Sequence, residues 1–217
     1  MAKKLNHEIA YRGEKNLANL KNKQIVLCGV GALGSNLADT LLRQGVELLR
    51  VIDMDRVETH NVSTQVYGDA DVGAMKVAAL KNRLFRDTGV EIETVDKELN
   101  DGSKKKMLKG ADLVIDTFDN SKSRRLVHEY CYEQKIPCLH AGLFEGYGEV
   151  VWDKVYIVPQ DPPKDAVVVC DYPLARNLIT LVVSMLAEET MDFCIMPKPR
   201  LGSWSITLSD LKIQKYR

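Results

Sequence analysis

The sequence predicts a single α/β domain spanning residues 1–217: a mostly parallel sheet with helices on both faces, continued by antiparallel strands near its C-terminal end. Three observations carry this. Apolar runs of strand length alternate with segments of helical periodicity from residue 24 to residue 134, which is the pattern of strands joined by crossover helices. Beyond residue 147 strand follows strand without an intervening helix. The composition, 45% hydrophobic and 28% charged over 217 residues, is that of a globular chain able to bury one sizeable core.

The elements follow in order. Residues 14–21 predict a short lead-in helix, and 24–28 a strand whose unbroken apolar run suits burial on both faces. Residues 32–43 repeat apolar side chains at helical spacing up to a stop at Gly45. A second strand is expected at 47–55, a helix at 71–88 closed by Gly89, and a half-exposed strand at 91–95. A further helix is expected near 103–109, then a buried strand at 111–117 and a helix at 121–134 with Ser121 as its cap. After a strand at 136–142, residues 147–158 read as two strands turning at Asp153-Lys154. Residues 159–171 hold three of the seven prolines and read as a loop. A packed helix at 174–189 and one edge strand at 203–213 complete the chain.

Thirty basic residues balance thirty acidic ones, so no global field draws the protein to nucleic acid or to an anionic membrane. The run Lys104, Lys105, Lys106, Lys109 reads as a solvated helix face. The N-terminus lacks the apolar core of a signal peptide, and no apolar stretch reaches the roughly 20 residues that span a bilayer; a cytoplasmic protein is expected. Five cysteines without a C-x-x-C pair indicate neither a disulfide framework nor a zinc site, and Cys28, Cys131 and Cys138 read as core. His140 reads as a structural histidine beside the site, while His60 and His128 carry no signal of their own.

Gly29, Gly31 and Gly34 place G-x-G-x-x-G between the first strand and the first long helix, the context in which this motif binds a phosphate. Gly29 permits the tight turn, Gly31 lets backbone approach an anion, Gly34 lets the helix pack closely, and amides near Ala32 face the anion. Asp53 ends the second strand about 20 residues beyond the loop, where a carboxylate can accept ribose hydroxyls. These residues predict a Rossmann-like nucleotide site; they do not separate NAD, FAD and ATP.

Further residues narrow the choice. Asp53-Met54-Asp55-Arg56-Val57, Asn61, Gln65, Gly73 to Val77 with Lys76, Thr117-Phe118-Asp119-Asn120 and Arg124 resemble, in order and spacing, the ThiF/MoeB family of adenylyltransferases. Ile136-Pro137, Ala141-Gly142 and the opening segment Asn6 to Gly13 are similar as well. The resemblance implies ATP with Mg²⁺, and as partner a ubiquitin-like or sulfur-carrier β-grasp protein ending in Gly-Gly, activated as an acyl-adenylate. It implies that Asp53 and Asp55 lie at the nucleotide, Asn61 supports the phosphate loop beside Gln65, Lys76 meets the phosphates, and Asp119 carries Mg²⁺ with Asn120 beside it. It also implies a homodimer. Joining a carboxylate to a triphosphate brings anions together, so positioning and charge neutralisation must supply the catalysis.

The chain departs from the family at two cations, with His7 and Thr64 where relatives carry arginines; Arg12, Arg56, Arg124 or a partner chain are the candidate replacements. The family's two C-x-x-C pairs are missing, so no structural zinc is expected, and the chain reads as a minimal form. Cys170 lies in the candidate crossover loop 159–172, where some relatives capture the activated carrier. A helix N-terminus there favours the thiolate and Asp171 opposes it. Three other functions remain open: a non-catalytic partner subunit, an NAD-dependent dehydrogenase, and an enzyme adenylating a small molecule or a tRNA carbonyl.

Overall fold

The computed structural model describes residues 2–161, 174–196 and 202–216. Helices α1 (Asn6–Arg12) and α2 (Glu14–Ala18) lead into strand β1 (Ile25–Cys28). Helix α3 (Ala32–Arg43), strand β2 (Leu49–Ile52), helix α4 (Lys76–Thr88) and strand β3 (Glu93–Val95) follow. Next come α5 (Lys104–Leu108), β4 (Leu113–Asp116), α6 (Ser121–Gln134) and the hairpin of β5 (Cys138–Phe144) with β6 (Tyr147–Trp152). Helix α7 (Arg176–Ile195) precedes the hairpin of β7 (Ser203–Thr207) and β8 (Lys212–Tyr216).

The sheet order is β3-β2-β1-β4-β5-β6-β7-β8. Strands β1 to β5 pair in parallel and β5 to β8 antiparallel. Strand order reverses between β1 and β4, which opens a crevice at their carboxyl ends, the usual ligand position in such sheets. Successive strand residues face opposite layers. Ile25, Leu27, Leu113 and Ile115 pack with Leu37 and Leu41 of α3 and with Leu178, Val182 and Leu186 of α7. Val26, Cys28 and Val114 pack with Leu108 of α5 and Val127 and Cys131 of α6. Both layers are apolar and buried, which explains the unbroken apolar runs. The expected sheet, its antiparallel extension and the core positions of Cys28, Cys131 and Cys138 are therefore present. Among the described residues no helix is long and apolar enough to cross a membrane.

The structure corrects several local expectations. The fourth helix starts at Lys76 rather than residue 71, because Gly73 takes a positive φ of 90° and Met75 is extended; the apolar match at Val72 misled, since that side chain is exposed. The cap of α6 is Asn120, which accepts from the Ser123 amide at 2.9 Å. Ser121 instead donates from its hydroxyl toward Pro159 and Asp161. Residues 154–158 form no second strand; a short 3-10 turn, Asp153–Val155, begins there instead. The hairpin turns earlier, at Glu145-Gly146. The single edge strand expected at 203–213 is a hairpin turning at Leu211, whose φ is 52°. Helix α7 runs longer than expected, to Ile195.

Glu189 of α7 is buried yet fully engaged: its carboxylate accepts from Trp152 Nε1 at 2.9 Å, Trp204 Nε1 at 2.5 Å and the Gly202 amide at 2.8 Å. These bonds seat β6 and β7 on the helix. Because α7 is walled by α3 and the sheet, truncating Leu186 (0% exposed) leaves a cavity. Leu186→Ala is expected to cost about 2–5 kcal/mol in urea unfolding, against less than about 0.5 kcal/mol for exposed Ser184→Ala; equal costs would contradict this packing.

Candidate nucleotide site

At the end of β1 the chain turns through Gly29, whose φ is 86° and whose amide donates to Ile52 O at 2.8 Å. Helix α3 then starts at Ala32 without a side-chain cap and without an acid in its first turn. Its leading amides and the positive end of its dipole are thus aimed at the crevice. A Cβ on Gly34 would stand 2.0 Å from Gly29 O and 2.7 Å from Thr117 Oγ1, so only glycine allows the helix this close. Thr117 fastens the turn to the end of β4: its amide is 2.9 Å from Cys28 O and its hydroxyl 2.9 Å from Gly29 O.

Asp53 holds the other side of the loop. One carboxylate oxygen accepts from the Val30 amide and the other from the Asp55 amide, each at 2.8 Å, leaving each a free lone pair. Burial pushes the Asp53 carboxyl above its usual range, against the pull of Lys76 and of the two amides. Tyr67, buried beside it, donates to Val30 O at 2.9 Å, and burial raises its phenol further. Lys76 opens α4; it is buried, its amide donates to Asp55 O, and its ammonium lies 2.9 Å from a half-exposed Asp55 carboxylate.

Asn61 accepts from the Glu58 amide at 2.9 Å and fixes the turn that leads to Gln65. Gln65 is buried and its Oε1 has no hydrogen-bond partner among the described residues, while its Nε2 lies 4.0 Å from where a Gly31 side chain would begin. A buried unpaired acceptor is costly, and this one borders the loop where a ligand would reach it. Asp119 and Asn120 follow β4 on the far side of the crevice; Asp119 is exposed, with Asn120 Nδ2 at 3.3 Å.

Among the expected site residues, Asp53, Asp55 and Lys76 are joined by direct contacts, Gln65 is bonded to Asn61, Gly34 packs on Gly29, and Gly31 and Ala32 lie in the same turn, with Asp119 and Asn120 following β4. Cys170 lies outside the described residues. Of the candidate replacement arginines, Arg12 and Arg124 are held in structural contacts and Arg56 by a backbone carbonyl. Arg12 forms a two-pronged pair with Glu188 and another bond with Glu8. Arg124 is buried against Tyr156 Oη and Ala141 O; desolvation lowers its pKa, but Asp116 and Tyr156 prevail and raise it. Arg56 donates to Gly73 O at 2.7 Å. His7 is exposed on α1, and His140 is buried beside the end of β4, where it pairs with Asp116. Sequence reasoning missed Tyr67, and it missed Arg176, the first residue of α7, whose guanidinium donates to Ser63 O at 3.2 Å, next to Thr64. Neither belongs to a motif, and only folding brings them to the site.

A family model described as the ThiF family matches residues 4–213. The SAMP-activating enzyme E1 of Haloferax volcanii is 30% identical over 154 residues, covering 69% of this chain and 55% of that protein. The molybdopterin-synthase adenylyltransferase of Salmonella typhimurium is 30% identical over 133 residues, 60% of this chain and 53% of that protein. The sulfur carrier protein adenylyltransferase of Thermus thermophilus is 28% identical over 206 residues, covering 88% and 76%. The chain thus spans about half the length of the first two relatives. Among solved structures, Escherichia coli MccB aligns with TM-score 0.81 at 18% identity over 97% of this chain and 69% of that one. PaaA aligns with TM-score 0.83 at 19% identity over 100% and 73%. At such identities the match speaks for the fold.

The closeness at Gly34 is testable without a ligand. Gly34→Ala is expected to destabilise the chain by about 1–3 kcal/mol through overpacking against backbone that cannot yield. Gly146→Ala, with nothing within 4 Å, should change stability by less than about 0.5 kcal/mol. A Gly34→Ala unfolding midpoint equal to wild type would refute the close approach.

Proposed function

Because the chain belongs to the ThiF family, we propose that it binds ATP over the carboxyl ends of β1 and β4 and adenylates the C-terminal carboxylate of a ubiquitin-like or sulfur-carrier β-grasp protein. The observation that carries this is the pairing of an uncapped α3 N-terminus with a buried Lys76 whose acidic partner is half exposed and exchangeable. In this reading the loop amides hold phosphate oxygens, Asp53 accepts ribose hydroxyls on its free lone pairs, and Gln65 Oε1 gains the partner it lacks. Lys76 leaves Asp55 for the triphosphate. The carrier carboxylate oxygen attacks the α-phosphorus, the bond to the bridging oxygen breaks, and pyrophosphate leaves with both its electrons. The exposed Asp119 carboxylate beside Asn120 would hold Mg²⁺, which neutralises pyrophosphate charge.

Arg176 takes the place of the arginine missing at Thr64 in this proposal. It reaches the same turn through the Ser63 carbonyl, and a guanidinium keeps the charge and the planar fork that phosphate recognition favours. Cys170 then receives the activated acyl group, with release of AMP. A homodimer in the cytoplasm completes the reading; the described cysteines Cys28, Cys131, Cys138 and Cys194 are free thiols.

The test is ATP–pyrophosphate exchange with a β-grasp carrier ending in Gly-Gly. Lys76→Ala is expected to lower exchange by about 10²–10³-fold, the usual effect of removing one charge-stabilising donor. Arg176→Ala should lower it about tenfold or more and Arg176→Lys less, while Cys170→Ala should leave exchange intact and abolish carrier capture. The loss of charge at His7 and Thr64 favours one second reading, a non-catalytic partner subunit. ATP binding without exchange on any carrier, with exchange appearing only in company with a second subunit, would select that reading instead.

A further inference from the structure

On the opposite face of the sheet from α3 and α7, one carboxylate oxygen gathers two imidazoles. Asp153 Oδ1 lies 2.9 Å from His140 Nε2 and 2.9 Å from His128 Nδ1. The three donor atoms all lie within 4.8 Å of one another. They come from three separate elements, β5, α6 and the turn after β6. We propose that His128, His140 and Asp153 form a binding site for a divalent transition-metal ion of the zinc class, sharing no ligand with the adenylation site.

The second layer supports this assignment. His140 Nδ1 is hydrogen-bonded to Asp116 Oδ2 at 2.9 Å, which keeps a proton on Nδ1 when Nε2, facing Asp153, gives up its own to bind the ion. A carboxylate behind a histidine in this way fixes tautomer and ring orientation at metal sites. The His140 ring is further immobilised by Tyr156, stacked at 3.6 Å and 5°. Arg124 bonds Tyr156 Oη at 3.0 Å and lies 3.8 Å from Asp116 Oδ2, so the supporting carboxylate is itself held.

Ligand type and space agree with the class. Two imidazoles and one carboxylate suit zinc and its neighbours and are poor for Mg²⁺ or Ca²⁺, which take oxygen ligands. Bonds of about 2.0–2.2 Å in a tetrahedral site hold ligand atoms about 3.3 Å apart. The 2.9 Å contacts therefore need to open by only a few tenths of an ångström. His140 is sealed, but the side chains of His128 and Asp153 keep 24% and 17% of their exposure, leaving an entry path and a fourth position for water. The ion replaces the protons that join the imidazoles to Asp153, and it ties α6 and β5 to the turn where β6 ends. Sequence reasoning expected no zinc because it sought paired cysteines, and these residues have no motif spacing.

The experiment uses the full chain after chelator treatment, with Zn²⁺ and Co²⁺ as probes. Calorimetry should show one Zn²⁺ per chain, Zn²⁺ should raise the melting temperature, and Co²⁺ should give the visible absorption of a four-coordinate site. His128→Gln, at a partly exposed position that spares the fold, should abolish the high-affinity phase and the thermal shift. Asp116→Asn, behind His140 and not itself a ligand, should weaken binding by about 10–100-fold. Absence of stoichiometric binding to the wild type would overturn the proposal, and so would binding unchanged in both His128→Gln and Asp153→Asn.

Discussion

The architecture depends on the contact of α3 with the end of β1, where the helix comes so near that Gly29 O occupies the space of any side chain at position 34. That approach is what aims the leading amides of α3 into the crevice instead of past it. Thr117 from β4 and Asp53 from β2 brace the turn from both sides, so the three neighbouring strands share one knot of hydrogen bonds at their carboxyl ends. Nearly all of its groups are backbone or buried, and the geometry costs no reorganisation when an anion arrives. Preorganised dipoles of this kind are more effective than flexible charges.

Positive charge is handled differently. The described cations near the crevice are held by exchangeable partners, Lys76 by Asp55 and Arg176 by a backbone carbonyl. Arg12 and Arg124, by contrast, are committed to structural pairs. Arg12 joins α1 to α7 through Glu188, and Arg124 supports the histidine cluster under β5. The same residue type thus does two jobs, and the distinction lies in whether its partner can be given up.

Much of this was written in the sequence where the physics is local. The glycine loop, α3 and α6 were legible because periodicity, glycine placement and burial agree there. The start of α4 was not, since an exposed valine imitated a core position and the positive φ at Gly73 breaks the helix ahead of Lys76. The expected strand after Asp153 failed for a tertiary reason: the aspartate is held by His128 and His140, and the chain turns there to satisfy them. His140 and Gln65 were visible as residues, but the environment that gives each its meaning comes from strands and turns distant along the chain. Motif spacing finds site residues that share a loop; it is blind to groups assembled from three elements.

Glu189 has a spectroscopic corollary. The protein has two tryptophans, and both indoles donate to that single carboxylate. Tryptophan emission therefore views one joint, where α7 receives β6 and the C-terminal hairpin. A fluorescence-monitored melt follows the detachment of that hairpin, and events confined to the glycine turn require a probe placed there.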